Sequence, residues 1–311
     1  MRRIFFLLII FLPGIAFAGF AERPDVNHFI NQMTVKHHFA KSELVRLFNH
    51  VTVRPVVIQS VKAPLEKKPW YAYQKLFVTE WRIREGAVFW NKYQTALTRA
   101  EKTYGVPASI IVATIGVETK YGQETGEHRV IDALSSIAFS DSPRAPFFRN
   151  ELEQFLLLVR EHHLNPLKVM GSYAGAIGQP QFMPSSYRYY AVNFSGHGKI
   201  DLSHNEVDVI GSIANYYHQH GWQTGEPVAK ETSISTQPFG FLTHNRHPDT
   251  FAASGKKTKL IELQGRYGSE YWLGYPNFDV IKRYNPSDLY AMAVYQLSYQ
   301  ISRLKGKSDN A

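Results

Sequence analysis

The feature that most constrains this chain is an apolar segment, residues 107–122, which reads PASIIVATIGVETKYG. Its isoleucine, valine and alanine side chains fall on every face of a helix with 3.6 residues per turn, so no polar stripe is left to meet water. Pro107 suits the first helical position, and Gly122 is a typical stop signal after Lys120. The pattern therefore predicts a fully buried helix.

Glu118 is the one side chain that does not suit this helix. It falls in the final turn, on the same face as Thr114. Because an ionised carboxylate is costly to bury without a partner, Glu118 either faces a wet cleft at the helix end or has a raised pKa. Either environment makes it a candidate general acid. A purely structural ion pair with Lys120 or another base is the alternative, and this segment alone leaves both open.

The first 18 residues predict export. Arg2 and Arg3 precede an apolar run, residues 4–15, and Ala16-Phe17-Ala18 forms a small-x-small cleavage site, as in a secretory signal peptide. The run is shorter than the ~20 residues that span a membrane. The 311 residues include no cysteine, so we expect neither disulfides nor a lipid-anchored cysteine, and a hydrophobic core must hold the exported protein together.

The charge of the chain predicts an anionic partner. Removal of residues 1–18 takes away two arginines and no acid, so the formal net charge falls from +9 to +7. A cell-wall polymer, a membrane surface or a nucleic acid would each suit a basic exported protein. Charge alone does not choose among them.

Hydrophobic periodicity predicts a mainly α-helical (α+β) chain with a small β-containing region. Helices are expected in residues 21–53 (the second beginning near Ser42), 83–104, 107–122, 128–139, 147–162, 209–220 and 289–304. Strands are expected in residues 257–263 and 278–284, an extended connector in residues 53–69, and a polar, disordered tail after the last helix.

Two loops carry candidate binding chemistry. Residues 171–187, GSYAGAIGQPQFMPSSY, combine glycines, prolines and glutamines, which lets a backbone approach a ligand while amides bind it. Residues 193–208, NFSGHGKIDLSHNEVD, have the spacing of a calcium loop but are degraded. Asn193 and Ser195 offer oxygens, His197 stands where an amide or carboxylate belongs, and Asp208 lies beyond the position of the usual bidentate glutamate. We therefore predict no cofactor, with calcium as the open alternative.

Five ordered blocks in the chain from about Trp70 onward resemble the lytic murein transglycosylase B family. They are FWNKYQTAL at 89–97, YGVPASIIVATIGVETKYG at 104–122, GSYAGAIGQPQFMPSSY at 171–187, IGSIANYYHQHGW at 210–222 and RYNPSDLYAMAVYQL at 283–297. The resemblance implies a lysozyme-like helical core and cleavage of the β-1,4 bond between N-acetylmuramic acid and N-acetylglucosamine with a 1,6-anhydro product. It also implies a periplasmic protein that binds peptidoglycan glycan strands.

On this resemblance the chain divides into five parts. They are a signal peptide (1–18), an N-terminal helical region and connector (19–95), a lysozyme-like catalytic core (96–225), a β-containing region (226–284), and a C-terminal helix returning to the core with a polar tail (285–311). We expect a monomer with no nucleic-acid partner and no stable membrane anchor, and cell-wall synthesis proteins as possible further partners.

The resemblance assigns the catalytic acid and base to Glu118. Ordinary glycosidases need two carboxylates, yet Glu124 and Glu127 follow the predicted helix stop in a polar loop, so no second carboxylate accompanies Glu118 in the blocks. That absence suits an intramolecular nucleophile. The resemblance also implies substrate contacts, which are Ser172, Tyr173, Gln181 and Tyr290, with Phe182, Met183 and Pro184 in the cleft wall and Arg144 as a weaker candidate for a carboxylate. A hydrolytic muramidase and a non-catalytic wall-binding protein remain the alternatives.

Overall fold

The structure, a computed structural model, describes residues 19–60, 68–232 and 258–308. The predicted signal peptide lies outside the described residues, as do parts of the predicted connector (61–67), of the β-containing region (233–257) and of the tail (309–311). Among the described residues, no helix combines the length and the apolar character needed to cross a membrane.

The chain divides into two compact units, Met1–Thr52 and Val53–Ala311. In the first, a 3-10 turn (Phe20–Glu22) precedes helices α1 (Pro24–His37) and α2 (Lys41–Asn49). Phe29 of α1 meets Phe48 of α2 edge-on, with ring centroids 6.0 Å apart, and both are buried. The pair of helices predicted in residues 21–53 is confirmed, whereas the five-part division of the chain stays a prediction.

The second unit is built mostly from helices. In chain order its elements are α3 (Pro55–Ser60), α4 (Trp70–Phe77), α5 (Glu80–Lys92), α6 (Gln94–Tyr104), α7 (Ala108–Thr119), β1 (His128–Arg129), α8 (Val130–Ala138), α9 (Ala145–Glu161), β2 (Met170–Gly171), α10 (Pro184–Tyr190), α11 (Glu206–Gln219), β3 (Ala229–Thr232), β4 (Lys259–Gln264), β5 (Ser269–Gly274), α12 (Pro276–Tyr284) and α13 (Asp288–Ser308). The predicted mainly α class is confirmed, and α13 continues as a helix into the tail as far as Ser308.

Helix α7 is the buried helix predicted from the apolar segment. Of its residues only Ser109 and Glu118 are half-buried, and all others are buried. Helices α5, α6, α11 and α13 contact it. Its surroundings explain the absence of a polar stripe, because a helix covered on every side has no face to solvate.

The ends of α7 differ from the prediction. Pro107 is the N-cap residue rather than the first helical residue, and the helix ends at Thr119. Lys120 and Tyr121 already adopt left-handed backbone angles, with φ of 52° and 60°. Non-glycine residues are strained in this conformation. The turn is held by the Tyr121 hydroxyl, which donates to the Arg82 carbonyl at 2.6 Å.

Three local predictions were wrong. The helix expected over residues 83–104 is broken at Tyr93 (φ −112°, ψ 24°), because α5 packs against α13 while α6 packs against α11. The strand expected over residues 278–284 is α12, which begins with Pro276 and buries Phe278 and Ile281. The connector expected to be extended contains α3.

Two small antiparallel sheets complete the second unit. β1 pairs with β2, with His128 opposite Gly171. β5 lies between β3 and β4, and Trp272 of β5 is opposite Ile261 of β4. The strand predicted at residues 257–263 is confirmed as β4. The β1–β2 pair matters for the site, because it joins the segment after α7 to the loop of residues 171–187.

Candidate active site

A cleft of about 560 Å³ opens at the C-terminal end of α7. Residues from five parts of the second unit line it. They are Tyr73 and Phe77 of α4, Val117 and Glu118 of α7, Glu124, Gly126, Glu127 and His128 from the segment after α7, Ser172, Tyr173 and Gln181 from the loop of residues 171–187, and Asn285 and Tyr290 around the start of α13. The cleft mixes aromatic rings with carboxylates, hydroxyls and amides, as a carbohydrate site requires.

Glu118 lies in the last turn of α7 and faces this cleft half-buried. Its Oε1 atom accepts a hydrogen bond from the Tyr290 hydroxyl at 2.6 Å. Glu118 therefore lies at a helix end that faces a cleft, which is the first of the two environments predicted for it. A carboxyl group placed there can exchange a proton with a bound ligand while a fixed donor orients it.

Tyr290 is held rigidly as that donor. Its side chain is 3% exposed, and its ring stacks on Tyr284 with a 6.3 Å centroid separation. The Tyr284 hydroxyl in turn donates to the Pro180 carbonyl at 2.5 Å. Burial, and then the neighbouring Glu118 carboxylate, raise the pKa of Tyr290 well above its ordinary value. Tyr290 therefore stays protonated and keeps a hydrogen to donate.

The end of α7 is tied to the loop of residues 171–187. The Thr119 hydroxyl donates to the Gln179 carbonyl at 2.9 Å and accepts from the Gly122 amide at 3.1 Å. Because Thr119 follows Glu118 directly, these bonds fix the backbone that carries the carboxyl group. The loop and the helix end thus form one rigid wall of the cleft.

The glycine-rich loop approaches the segment after α7 very closely. A Cβ atom on Gly126, whose φ is 101°, would lie 2.1 Å from the Gly171 carbonyl oxygen. Gln181 adopts a left-handed φ of 51°, and its Nε2 donates to the carbonyls of Gly178 (2.9 Å) and Thr125 (3.1 Å). These contacts bring Ser172, Tyr173 and Gln181, which the resemblance implied as substrate contacts, to the lining of the cleft.

Two acidic residues correct the interpretation that Glu118 has no carboxylate companion. Glu124 and Glu127 both line the cleft. The left-handed turn at Lys120 and Tyr121 brings them back beside the helix end, where the Glu124 amide donates to the Thr119 carbonyl at 3.0 Å. Lys120 pairs with Glu124 at 2.5 Å. No local pattern predicts this return, because it depends on backbone angles that lysine and tyrosine rarely adopt.

Two predicted contact residues do not line the cleft. Phe182 is 2% exposed and packs between Tyr216 and Tyr284, with centroid distances of 5.5 and 5.8 Å. Arg144 precedes α9 and lies over the rings of Phe147 and Phe148, at 5.4 and 5.1 Å. Phe182 therefore supports the aromatic cluster below Tyr290 rather than facing a ligand.

Met183 and Pro184, which the resemblance implied in the cleft wall, are not among the residues that line the cleft. Met183 caps α10, and Pro184 is its buried first residue. Sequence reasoning did not single out Tyr73, Phe77, His128 and Asn285. Tyr73 and Phe77 belong to an aromatic-rich segment that begins at Trp70, but large aromatic residues at helical spacing more often pack in a core than face a ligand.

The predicted calcium-like loop is closed by its own hydrogen bonds. Asp208 is fully buried, and its two carboxylate oxygens accept from the Ser195 amide (2.8 Å) and the Asp201 amide (3.2 Å). The Asn193 side-chain oxygen accepts from the Gly196 amide at 2.9 Å. Lys199 donates to the His162 carbonyl, and the His197 side chain is exposed. This donor set does not fit calcium, which prefers several carboxylate oxygens turned towards the ion. Across the described ranges no three metal-ligating side chains cluster.

Comparison with known proteins defines the class. The transglycosylase SLT domain family matches residues 21–299. Membrane-bound lytic murein transglycosylase B of Escherichia coli (strain K12) is 41% identical over 304 residues, covering 91% of this chain and 84% of that protein. The chain therefore belongs to the lytic murein transglycosylase family, a family of enzymes for which peptidoglycan cleavage with an anhydro product is characteristic.

Solved structures agree with this assignment. The crystal structure of the soluble lytic transglycosylase SltB1 from Pseudomonas aeruginosa is 46% identical, with a TM-score of 0.84, and the match covers 91% of this chain and 100% of that one. The Escherichia coli lytic transglycosylase Slt35 in complex with calcium is 38% identical, with a TM-score of 0.83, over 92% of this chain and 96% of that one. The lysozyme-like fold expected from the resemblance is confirmed.

Proposed function

We propose that this protein cleaves the β-1,4 bond between N-acetylmuramic acid and N-acetylglucosamine in peptidoglycan and releases a 1,6-anhydro end, with Glu118 as the only acid and base. The observation that carries the proposal is the hydrogen bond from Tyr290 to Glu118 at the end of a buried helix and at the floor of the cleft. This bond joins Glu118, the carboxyl group in the otherwise apolar helix, to Tyr290, a donor that keeps its proton.

The proposed reaction consumes no water molecule, because the proton that Glu118 gives up is replaced by the proton of the C6 hydroxyl. Glu118 gives its proton to the glycosidic oxygen, and the bond from that oxygen to C1 of N-acetylmuramic acid breaks, leaving positive charge near C1. The Glu118 carboxylate then takes the proton of the C6 hydroxyl, whose oxygen bonds to C1 and closes the anhydro ring. Tyr290, which donates to Oε1, stabilises the carboxylate between the two proton transfers.

The other residues that line the cleft are proposed to bind the sugar units of the substrate. The hydroxyl of Ser172 and the amides of Gln181 and Asn285 can pair with hydroxyl and acetamido groups of the sugars, while Tyr73 and Tyr173 offer ring faces for pyranose packing. Tyr173 is 43% exposed, which suits a residue at the mouth of the cleft.

Glu124 and Glu127 make a hydrolytic reaction the second candidate. A carboxylate across the cleft from Glu118 would be able to activate water, as in two-carboxylate glycosidases. Lys120 already pairs with Glu124, so its negative charge is partly neutralised. Glu127 is exposed at the lining and is the better candidate for such a base.

Digestion of purified murein by the Glu118→Gln variant tests the proposal. We expect activity to fall by at least about 100-fold while binding of murein is kept, because glutamine preserves the shape but has no proton to give. Glu124→Gln and Glu127→Gln are the matched controls and should release anhydro ends at rates close to wild type.

The masses of the products separate the two candidates, because an anhydro end is lighter than a reducing end by one water. Residual cleavage by Glu118→Gln near the wild-type rate would overturn the role of Glu118. Reducing ends from the wild-type protein, together with loss of cleavage in Glu127→Gln, would establish hydrolysis instead.

The location of the protein and its partners form a separate proposal. We propose that residues 1–18 direct export to the periplasm, where the protein acts as a monomer on glycan strands without a stable membrane anchor or a nucleic-acid partner, alongside cell-wall synthesis proteins. The support is the charge and apolar pattern of that segment. An intact mass beginning at Gly19 in a periplasmic fraction is the expected result.

The activity is also proposed to need no cofactor. The support is that both carboxylate oxygens of Asp208 accept hydrogen bonds from backbone amides of its own loop.

A further inference from the structure

The loop of residues 193–208, which the proposed reaction does not use, is joined to the end of α7 by Gln179. This glutamine lies in the glycine-rich loop, and it is 4% exposed. Its backbone amide donates to the Leu202 carbonyl at 2.8 Å, and its side-chain Nε2 atom donates to the Ser203 carbonyl at 3.2 Å. Its own carbonyl accepts from the Thr119 hydroxyl at 2.9 Å. One residue therefore bonds to both the calcium-like loop and the last residue of the catalytic helix.

The two carbonyls that accept these bonds belong to a short turn, residues 201–204. The Oδ1 atom of Asp201 accepts from the amides of Ser203 and His204, at 2.8 and 3.0 Å. The Asp201 amide in turn donates to Asp208 of α11 at 3.2 Å, and Asp208 is fully buried. Because a buried carboxylate and bonds within the turn fix its backbone, the turn is a firm point of attachment.

The Gln179 side chain also packs against the left-handed turn that follows α7. A Cβ atom on Gly122, whose φ is 86°, would lie 2.9 Å from the side-chain carbon of the Gln179 amide. The Gly122 amide donates to the Thr119 hydroxyl, which itself donates to the Gln179 carbonyl. The end of the helix and the turn after it are thus both held by Gln179.

The amide of Gln179 is not explained by stability alone. Its Oε1 atom is buried and accepts no hydrogen bond from the part of the chain that the structure describes. A buried acceptor without a donor destabilises a fold. Features that oppose stability in this way are expected at functional sites.

We propose that Gln179 is a positioning residue for Glu118. It ties Thr119, the next residue of α7, to the turn of residues 201–204. The backbone of Glu118 is then held from Thr119, while the Tyr290 hydroxyl holds the carboxyl group itself. Neither Gln179 nor the turn touches the reacting atoms in this account.

Such positioning matters because one carboxyl group serves two proton transfers, and in this respect the inference rests on the proposed function. Glu118 must remain within hydrogen-bond reach of the glycosidic oxygen and then of the C6 hydroxyl. A small displacement of its backbone lowers the rate of both transfers, because proton transfer depends steeply on the distance and direction of the donor.

The residues proposed to bind the sugars are held by other bonds. The Gln181 side chain donates to two backbone carbonyls, and the Ser172 hydroxyl accepts from the Ala176 amide at 3.1 Å. None of these bonds involves the Gln179 side chain. We therefore expect a change at Gln179 to act on kcat rather than on substrate binding.

The Gln179→Met variant of the protein of residues 19–311 tests the inference. Methionine has a similar length and fills the same space, but it has no hydrogen to donate to the Ser203 carbonyl. We expect kcat on soluble murein glycan strands to fall on the order of tenfold, with KM within about twofold of wild type. A thermal melt of the variant gives the temperatures at which it is folded and can be assayed.

Gln154→Met is the matched control. Gln154 of α9 is also a buried glutamine, at 8% exposed, and its side-chain oxygen accepts from Arg188. It is not among the residues that line the cleft. The same substitution there should lower the melting temperature and leave kcat close to wild type at temperatures at which the variant is folded.

Two variants of Thr119 test the other end of the contact. Thr119→Val keeps the shape of the side chain but removes the hydroxyl bonded to Gln179, so kcat should fall by a similar factor. Thr119→Ser keeps the hydroxyl and should recover most of the rate. Because both losses act through one contact, Gln179→Met and Thr119→Val together should lower kcat little more than either does alone.

Three outcomes would overturn the inference. They are a folded Gln179→Met variant with the kcat of wild type, an equal fall of kcat in Gln154→Met, and a raised KM with unchanged kcat in Gln179→Met. If Gln179→Met does not fold, equal rates for Thr119→Val and Thr119→Ser would have the same meaning.

The proposed function is tested separately in the same assays. If wild type releases anhydro ends and Glu118→Gln is inactive, a negative result removes only the positioning role of Gln179. If Glu118→Gln remains active, the proposed function itself fails.

Discussion

Three carboxylates of this protein show how the surroundings of a residue decide its role. Glu118 faces the cleft and accepts from Tyr290. Asp132 is buried and receives two bonds from the Arg129 guanidinium, at 2.8 and 3.0 Å. Glu151 is 2% exposed and accepts from the amide and the hydroxyl of Ser185 at the start of α10. Of these three, Glu118 alone combines a fixed donor with access to a ligand, so it suits proton transfer and the other two do not.

Glu151 should make stability depend on pH in an unusual direction. Burial raises its pKa in the folded protein, and the two Ser185 bonds only partly offset this. The folded protein therefore binds the proton more tightly than the unfolded chain, and this contribution to stability is complete below the unfolded-state pKa and is lost as the pH rises through the folded-state pKa. Relative to Glu151→Gln, wild type should gain free energy of unfolding as the pH falls from about 7 towards about 4.5.

Glu161→Gln is the control with the opposite sign. The hydrogen bond from Arg188 holds the pKa of Glu161 below its ordinary value, so wild type should lose stability relative to this variant as the pH falls below about 4.5. Urea unfolding of the three proteins across this range measures both differences. Parallel pH curves for wild type and Glu151→Gln would contradict the expected effect of burial.

At the scale of elements, the loop of residues 193–208 shows how a calcium-like spacing persists without the ligands. Asn205 caps α11 by accepting from the amides of Val207 and Asp208 at 3.1 and 3.3 Å. Asp208, in the first turn of that helix, reaches back to hold the loop at Ser195 and Asp201. One buried carboxylate thus holds this loop in place. In a calcium-binding loop, the metal ion would do so instead.

Asp208→Asn should destabilise the protein by about 1–3 kcal/mol, because the asparagine nitrogen would face a backbone amide that also donates. Asp201→Asn is the matched control in the same loop. Its Oδ1 accepts from Ser203 and His204, and an asparagine oxygen can replace it, so a smaller change is expected. Thermal unfolding measures both.

Low millimolar calcium should change the melting temperature of wild type little. The change in melting temperature that calcium causes in Asp208→Asn, in which the loop is already weakened, serves as the reference for wild type. A rise of many degrees for wild type would contradict the hydrogen-bond account of the loop and would show that His197 and Lys199 do not prevent calcium binding.

At the scale of the whole molecule, the cleft belongs to one unit. Every lining residue, from Tyr73 to Tyr290, lies within Val53–Ala311. That unit also contains α7 and the helices that contact it. A compact unit with its own core is expected to fold alone.

A truncated protein of residues 53–311 should therefore unfold cooperatively and release anhydro ends from murein, at a rate within about tenfold of the protein of residues 19–311. Product masses and a thermal melt of both proteins, made in parallel, are the measurements. A truncated protein that melts cooperatively but forms no anhydro ends would show that residues 19–52 contribute to the reaction or to substrate binding.

Local sequence patterns were enough to predict the buried helix, the unusual position of Glu118 and the glycine-rich loop, because hydrophobic period and glycine content act over a few neighbouring residues. The surroundings of Glu118, by contrast, depend on how distant parts of the chain pack together. Its hydrogen-bond partner Tyr290 is 172 positions away in the chain, the Gln179 carbonyl accepts a hydrogen bond from the end of α7 across 60 positions, and Glu124 and Glu127 return to the cleft through a left-handed turn. Such contacts depend on how helices pack and on backbone angles that residue type does not specify, so no local pattern could encode them.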